Sequence, residues 1–147
     1  MTTPNEAPPL KPGEKIFALA FVCRQSAAFA AGMVGGAIAD HAGLDLAHIV
    51  AGVVAGLIFG LLLGWVYAYI AFPTKSGKVV VVRVGRTALP KSFLVAFLPA
   101  LFGAGGTAWL AGHFALAAAV SVPFLIGSAI VASILVGIFF TLAAALA

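Results

Sequence analysis

Four long apolar stretches limit what this chain can fold into more than any other feature of its sequence. They lie at about 16–39, 46–72, 92–110 and 120–145. The hydrocarbon core of a bilayer is about 30 Å thick, and roughly 20 helical residues cross it. Each stretch is about that long or longer. The sequence therefore predicts an all-α membrane protein, folded as a bundle of four transmembrane helices.

The charged residues are too few to cover a water-soluble surface. Of the 147 residues, 63% are apolar and 8% are charged, whereas an average soluble domain is about 45–50% apolar and about 25% charged. Intrinsic disorder requires low hydrophobicity and a high net charge, so that class is excluded as well. The single cysteine, Cys23, excludes a disulfide framework within the chain.

The apolar stretches divide the chain into a tail and a membrane domain. Residues 1–14 are rich in proline, which stops helices, and poor in apolar groups. We predict that they form an extended or disordered tail and that 15–147 form the transmembrane domain, with a basic loop at 73–91. The fourth apolar stretch reaches back to Leu116. Either Pro123 bends this helix, or the residues before it lie at the membrane interface.

Lysine and arginine are distributed asymmetrically along the chain. Five of them lie in the basic loop and two lie at 11 and 15, whereas the turns at 40–45 and 111–115 carry none. Cytoplasmic loops carry the excess of these cations. Both termini and the basic loop are therefore predicted to face the cytoplasm. The many Ala and Gly residues and the short turns favour a bacterial inner membrane.

The basic loop suits an anionic membrane surface, because each cation near such a surface contributes about 1 kcal/mol of attraction. We predict lipid contacts for its five cations, which are Lys75, Lys78, Arg83, Arg86 and Lys91. The valine run at 79–84 favours a short strand or hairpin, so docking onto the sheet edge of a partner is an alternative. The sequence carries no signature of a nucleic-acid-binding fold, and no nucleic-acid partner is expected.

Arg24 and its neighbour Gln25 interrupt the first apolar stretch. Arg24 lies about eight residues past the start of that stretch, or about 12 Å along a helix. Burying its charge costs at least about 2.5–3.5 kcal/mol, and none of the four stretches contains Asp or Glu. A backbone carbonyl, the hydroxyl of Tyr67, a lipid phosphate or an acid on another protein could pair with it. Three interpretations remain: snorkelling to the headgroups, a contact with a partner or anionic lipid, or an anion pathway.

Glycines recur every fourth residue in the second apolar stretch. They form three overlapping GxxxG units at Gly52, Gly56, Gly60 and Gly64. Ala28, Gly32 and Gly36 repeat this spacing in the first stretch. Such a groove lets another helix backbone approach closely. The spacing predicts a packing or oligomer interface, whose partner is the same chain, a second copy or another protein.

Three histidines and two aspartates, Asp40, His41, Asp45, His48 and His113, fall on the predicted outer side of the membrane. Imidazole and carboxylate groups suit zinc or copper, and His48 and His113 could serve as axial haem ligands. A plainer interpretation is that short turns are made of polar residues and that Asp45 caps a helix. We therefore expect no metal or other cofactor here. If this side of the membrane held a metal or redox site, its candidate ligands would be His41, His48 and His113.

The sequence contains no motif of a known enzyme class, such as HExxH, a P-loop or GxSxG. It is therefore predicted to be non-catalytic. The lack of an acid within the membrane also argues against coupled proton or cation transport. Two functions remain. One is an accessory or scaffolding subunit that contacts lipid and other membrane-protein subunits. The alternative is a small homo-oligomeric channel or transporter, with Arg24 facing an anion path.

Overall fold

Four helices make up most of the computed structural model, which describes residues 15–71, 81–84, 89–114 and 121–146. The helices are α1 (Leu19–His41), α2 (Leu46–Ala71), α3 (Leu89–Phe114) and α4 (Val122–Leu146). Two short strands accompany them, β1 (Lys15–Ala18) before α1 and β2 (Val81–Val84) before α3. All four helices are long and apolar enough to cross a membrane. The predicted four-helix architecture is confirmed, and the chain has the character of a multi-pass membrane protein.

The two strands form a small antiparallel sheet, in which Lys15 pairs with Val84 and Ala18 with Val81. This sheet corrects the sequence analysis, which began the first helix at residue 16. Residues 16–18 belong to β1 because valine-rich β2, a good strand former, supplies their hydrogen-bonding partner. The valine run thus pairs with a distant segment, and the sheet ties the beginning of α1 to the beginning of α3. We call this the sheet end of the bundle.

The helices form a central pair with one helix on each flank. α1 packs against the other three helices, and α3 packs against both α2 and α4. Over an apolar window of 18 residues in each helix, 61% of the residues are buried in α1, against 39% in α3, 33% in α4 and 17% in α2. Mean hydropathy changes in the opposite direction, from 1.2 for α1, the most buried helix, to 2.5 for α2, the least buried. The inner helix is the least apolar because it faces protein, whereas the flanking helices present apolar surface outward.

Small side chains form the core between α1, α3 and α4. On α3 the buried alanines recur every fourth residue, which brings the neighbouring helices close along one face. The buried members of this core are Ala30, Val34, Ile38, Ala96, Ala100, Ala104, Ala108, Leu125, Ala129, Ala132 and Val136. Two buried hydroxyls bond to their own helix, Thr107 to the Gly103 carbonyl at 2.9 Å and Ser133 to the Ala129 carbonyl at 2.6 Å.

Several helix ends differ from the sequence-based boundaries. α1 ends at His41 and therefore includes Asp40, which the sequence analysis placed in a turn. α3 begins at Leu89 and so includes Lys91. Pro123 is the second residue of α4, a position where proline is tolerated because the first-turn N–H groups have no helical partner. The predicted tail at 1–14 lies outside the described residues, as do 115–120.

A tight turn joins α1 to α2. Gly43 adopts φ 77°, a conformation that favours glycine because it has no Cβ. Its N–H donates to the Asp40 carbonyl at 3.0 Å, and the Leu44 N–H donates to the Ala39 carbonyl at 3.1 Å. These two bonds satisfy carbonyls at the end of α1 in the manner of a Schellman cap. The turn thereby sends α2 back along α1.

Candidate functional site

The glycine face of α2 lies against α1 of the same chain. A Cβ placed on Gly60 would lie 2.5 Å from the Ala27 carbonyl oxygen and 2.6 Å from the Ala28 Cα. At Gly64 it would lie 2.6 Å from the Arg24 Cα. These neighbours are backbone atoms, which cannot rotate away, so a larger residue would force the helices apart. Only glycine allows the backbones to approach this closely.

Small residues on both helices meet in an antiparallel register. Gly52 approaches Gly35, Gly56 approaches Ala31, Gly60 approaches Ala27, and Gly64 approaches Cys23 and Arg24. The pairs advance four residues along α2 while they retreat four along α1, so the contact extends over about three turns of each helix. We call this contact, made by Gly52, Gly56, Gly60 and Gly64 with Cys23, Arg24, Ala27, Ala31 and Gly35, the α1–α2 seam. Its α2 face is therefore covered by α1 rather than open to a second chain.

The two predicted glycines of α1 have a different role from the four of α2. Gly32 faces Leu57, and a Cβ added at Gly32 would lie 3.0 Å from the Leu57 Cδ2. Gly36 faces Val53, and a Cβ added at Gly36 would lie 2.6 Å from the Val53 Cγ2. These two glycines leave room for side chains of α2, whereas Gly35 makes the backbone contact with Gly52. Gly35 was not predicted, because the predicted stripe on α1 runs one residue further on, through Gly36. Ala27, Ala31 and Gly35 have the same spacing as Ala28, Gly32 and Gly36, so the spacing alone does not choose between the two series.

A third helix meets the seam at Ala27. A Cβ on Gly103 of α3 would lie 2.6 Å from the Ala27 carbonyl oxygen and 2.8 Å from its Cα. Ala27 is itself fully buried, held between Gly60 on one side and Gly103 on the other. The sequence analysis did not single out Gly103, because its partner is distant in sequence and no repeat marks it. This contact brings α1, α2 and α3 together at Ala27.

The side chain of Arg24 is exposed on α1, whereas its Cα belongs to the seam. Its Nε–H donates to the Ala20 carbonyl at 3.3 Å, so the side chain extends toward the sheet end. Because α1 begins at Leu19, Arg24 lies about 7.5 Å along the helix, which corrects the estimate of about 12 Å. The neighbouring Gln25 is half-buried. The acidic residue found within the described helices is Asp40. It lies about 24 Å further along α1, too far to pair with Arg24.

Tyr67, named as a possible partner of Arg24, packs toward α3. Its ring lies 5.7 Å from that of Phe102, and it contacts the small buried cluster of Leu19, Cys23 and Ala68. The hydrogen bond that Arg24 makes within the described chain goes to its own helix instead. Arg24 is therefore held by α1 itself, with the rest of its guanidinium at the exposed surface.

The five cations of the basic loop are only partly described. Lys91 lies in the first turn of α3, where its side chain is exposed. Arg83 lies in β2, opposite Ile16. Lys75, Lys78 and Arg86 lie outside the described residues. Lys91 and β2 both lie at the sheet end, so this part of the predicted lipid contact belongs to the same end of the bundle as Arg24.

The three histidines share one end of the bundle but face different neighbours. His41 stacks on Phe124 with ring centroids 3.9 Å apart, and His113 stacks on Trp109 at 4.9 Å. His48 contacts the Asp45 carboxylate through Nδ1. Among the residues that the structure describes, no group of three or more His, Cys, Asp or Glu side chains could hold a metal ion. The described geometry therefore does not bring the three metal candidates together.

Asp45 caps the N-terminus of α2, as the sequence predicts. The His48 backbone N–H donates to Asp45 Oδ1 at 3.1 Å, which satisfies one of the free donors of the first turn. The hydrogen bond from the His48 side chain, and after it the backbone bond, lower the pKa of Asp45. Both bonds favour the ionised carboxylate, and they explain the Asp–His pairing without a ligand.

Comparison with protein-family models, with curated proteins and with solved structures gives no match for this chain. Its candidate functional features are therefore identified from its own residues. They are a seam closed at backbone contact, an exposed Arg24 at the edge of that seam, and an apolar outer surface.

Proposed function

We propose that this protein is a non-catalytic accessory or scaffolding subunit of the membrane, which joins a larger membrane-protein complex as a preformed bundle. The observation that carries this proposal is the exposed guanidinium of Arg24 on a membrane-length helix, beside the α1–α2 seam. A permanent charge at such a position needs a counter-group, and an acid on a partner subunit supplies one.

The guanidinium is suited to this contact. One of its five N–H donors is used by the Ala20 carbonyl, and its planar fork matches a carboxylate in a bidentate fashion. Arg24 lies about 7.5 Å from the start of α1, within reach of a partner helix end near the membrane surface. The Cα of Arg24 lies against Gly64, so the side chain projects from a closely packed pair of backbones. A group held in this way loses less freedom when it binds.

The flanking helices supply wide apolar surfaces for packing in the membrane. On α2 only Gly56, Gly60, Gly64 and Ala68 are buried, and Trp65 is 62% exposed. On α4, Phe139 is 71% exposed. Lipid chains and partner helices can both cover such surfaces, and in a bilayer close packing and polar contacts decide between them. Arg24 is the polar contact that makes one face of this bundle specific.

Isolation of the tagged full chain in a mild detergent, followed by mass spectrometry of what accompanies it, tests this proposal. A scaffolding subunit brings down a fixed set of other membrane proteins in constant ratio. A single-species ring that conducts anions after reconstitution would contradict the proposal and favour the homo-oligomeric channel. The monomeric chain without companions would contradict both.

A further inference from the structure

A groove at the sheet end of the bundle combines an apolar lining with one cation. It lies between the beginning of α1, the end of α2 and the beginning of α3, and it encloses about 370 Å³. Ligand pockets are typically about 300–1,000 Å³. The lining residues that matter are Leu19, Tyr67, Lys91, Leu94, Val95 and Leu98. We call this cavity the sheet-end groove.

The α3 side of the sheet-end groove is one helical face. Its residues stand at positions i, i+3, i+4 and i+7, which share a face of a helix. They are Lys91, Leu94, Val95 and Leu98. The membrane-length part of α3 begins at Phe93, two residues after Lys91. When α3 spans a membrane, Lys91 lies at the edge of the span and the two leucines lie within it. Leu94 and Leu98 are 49% and 46% exposed, and they form an open wall above the buried Leu19.

Two sources of positive charge coincide at the mouth of the sheet-end groove. Lys91 occupies the first turn of α3, and that turn contains no acidic residue. The N-terminus of a helix carries partial positive charge from its free N–H groups. A lysine in that turn is unfavourable unless an anion neutralises both the ammonium group and the helix terminus. The ion pair found among the described residues joins Asp45 to His48 and does not involve Lys91. The groove thus offers charge complementarity to an anion that also has an apolar tail.

We propose that the sheet-end groove binds one anionic phospholipid. The phosphate contacts Lys91 and the beginning of α3, and an acyl chain lies along Leu94 and Leu98 over Leu19 and Val95. This assignment is independent of the proposed subunit role. It differs from general attraction to a charged surface, because it requires both the cation and the free wall of the groove.

Native mass spectrometry of the full chain in detergent tests this site, with phosphatidylglycerol and phosphatidylcholine of identical acyl chains as probes. Lys91→Gln removes the cation of the groove, and Lys78→Gln, which removes a cation of the predicted basic loop outside α3, is its matched control. Leu98→Trp fills the groove from its exposed wall, and Leu62→Trp, at a leucine of α2 that is 54% exposed, is its control. Glycerol phosphate, which has the anion without the chains, serves as a competitor.

The wild-type chain is expected to retain phosphatidylglycerol in preference to phosphatidylcholine. Lys91→Gln weakens phosphatidylglycerol binding about fivefold and leaves phosphatidylcholine unchanged, whereas Leu98→Trp weakens both and glycerol phosphate displaces neither. Equal effects of Lys91→Gln and Lys78→Gln would overturn the site in favour of unspecific charge attraction. Equal lipid binding by Leu98→Trp and Leu62→Trp would also overturn it, as would displacement by glycerol phosphate, which would indicate a simple anion site.

Discussion

The Cα of Arg24 lies directly against Gly64, so that a Cβ on residue 64 would come within 2.6 Å of it. The charged residue of α1 thus stands at a point of close approach between two helices. Its backbone is held by the α1–α2 seam, and its side chain bonds back to Ala20. The charge and the glycine stripe, which are separate features in the sequence, belong to one structural unit.

Gly60→Ala is expected to destabilise the bundle by about 1–3 kcal/mol, the usual cost of overpacking a close contact. The added Cβ would meet the Ala27 carbonyl and the Ala28 Cα, and relief requires α2 to move away from α1. The free energy of unfolding, measured by SDS titration in mixed micelles, gives the effect directly.

Gly127→Ala is the matched control for that experiment, because nothing lies within 4 Å of a Cβ at Gly127 of α4. Alanine is the better helix former by about 0.5–1 kcal/mol, so this variant should be as stable as the wild type or more stable. If Gly60→Ala and Gly127→Ala shift the unfolding free energy alike, the seam does not depend on close backbone contact.

The sequence predicts the stripe on α2 but not its full set of partners. Four glycines spaced by four indicate a close helix contact, since the spacing itself places them on one face. The facing residues depend on how α1 rotates, and on α1 both the 27–31–35 and the 28–32–36 series have small residues at the same spacing. The choice of Gly35 over Gly36 for the backbone contact follows from the crossing of the two helices. Local patterns carry no such information.

Labelling of introduced cysteines in whole cells tests the predicted orientation. In a Cys23→Ala background, Ser76→Cys in the basic loop should react only with a reagent that crosses the membrane. Leu44→Cys, in the α1–α2 turn, should react with an impermeant reagent from outside. Leu44 is preferable to Gly43, whose φ of 77° disfavours any side chain. The reverse labelling pattern would overturn the assignment of both termini to the cytoplasm.

The cap of α2 makes stability depend on pH. Because the pKa of Asp45 is lowered from its usual value of 3.8 in the folded chain, the ionised carboxylate stabilises the fold. That contribution is present above pH 3.8 and is lost as the pH falls through the lowered pKa. Asp45→Asn keeps a capping oxygen but has no titrating carboxylate. Its thermal midpoint should therefore lie below that of the wild type near neutral pH and converge with it in acid.

A His48→Ala background is the control for this titration, since the His48 side chain is the largest cause of the lowered pKa. In that background the change in thermal midpoint caused by Asp45→Asn should shrink at neutral pH. A gap between wild type and Asp45→Asn that stays constant down to strong acid would show that the carboxylate charge contributes nothing.

Hydropathy alone predicts the number of helices, because about 20 apolar residues in a row have few other structures available. It fails at the start of α1, where Ile16 and Phe17 suit a strand as well as a helix. Their state is decided by Arg83 and Val82, which stand opposite them in the sheet and are far away in sequence. That non-local pairing also shortens α1 and places Arg24 nearer the start of the helix than the sequence indicates.

Arg24→Leu and Arg24→Lys separate the three interpretations of the charge. Loss of one partner from a buried ion pair costs about 3–5 kcal/mol, so leucine should release the chain from its complex. Leucine is also favourable in the bilayer where arginine is not, so insertion should be unimpaired. Lysine should rescue only in part, because it lacks the planar fork of the guanidinium. A snorkelling arginine would tolerate both variants, and an anion path would lose conductance with assembly intact.

Retention of the Arg24→Leu chain in its membrane complex, measured by quantitative mass spectrometry beside Phe21→Leu, tests the proposed function most directly. Phe21 is 52% exposed one turn earlier on α1, so its substitution changes the same surface without removing charge. The account predicts that Phe21→Leu keeps the companion proteins, while Arg24→Leu inserts at normal levels and loses them. Companion proteins retained in full by Arg24→Leu would contradict it.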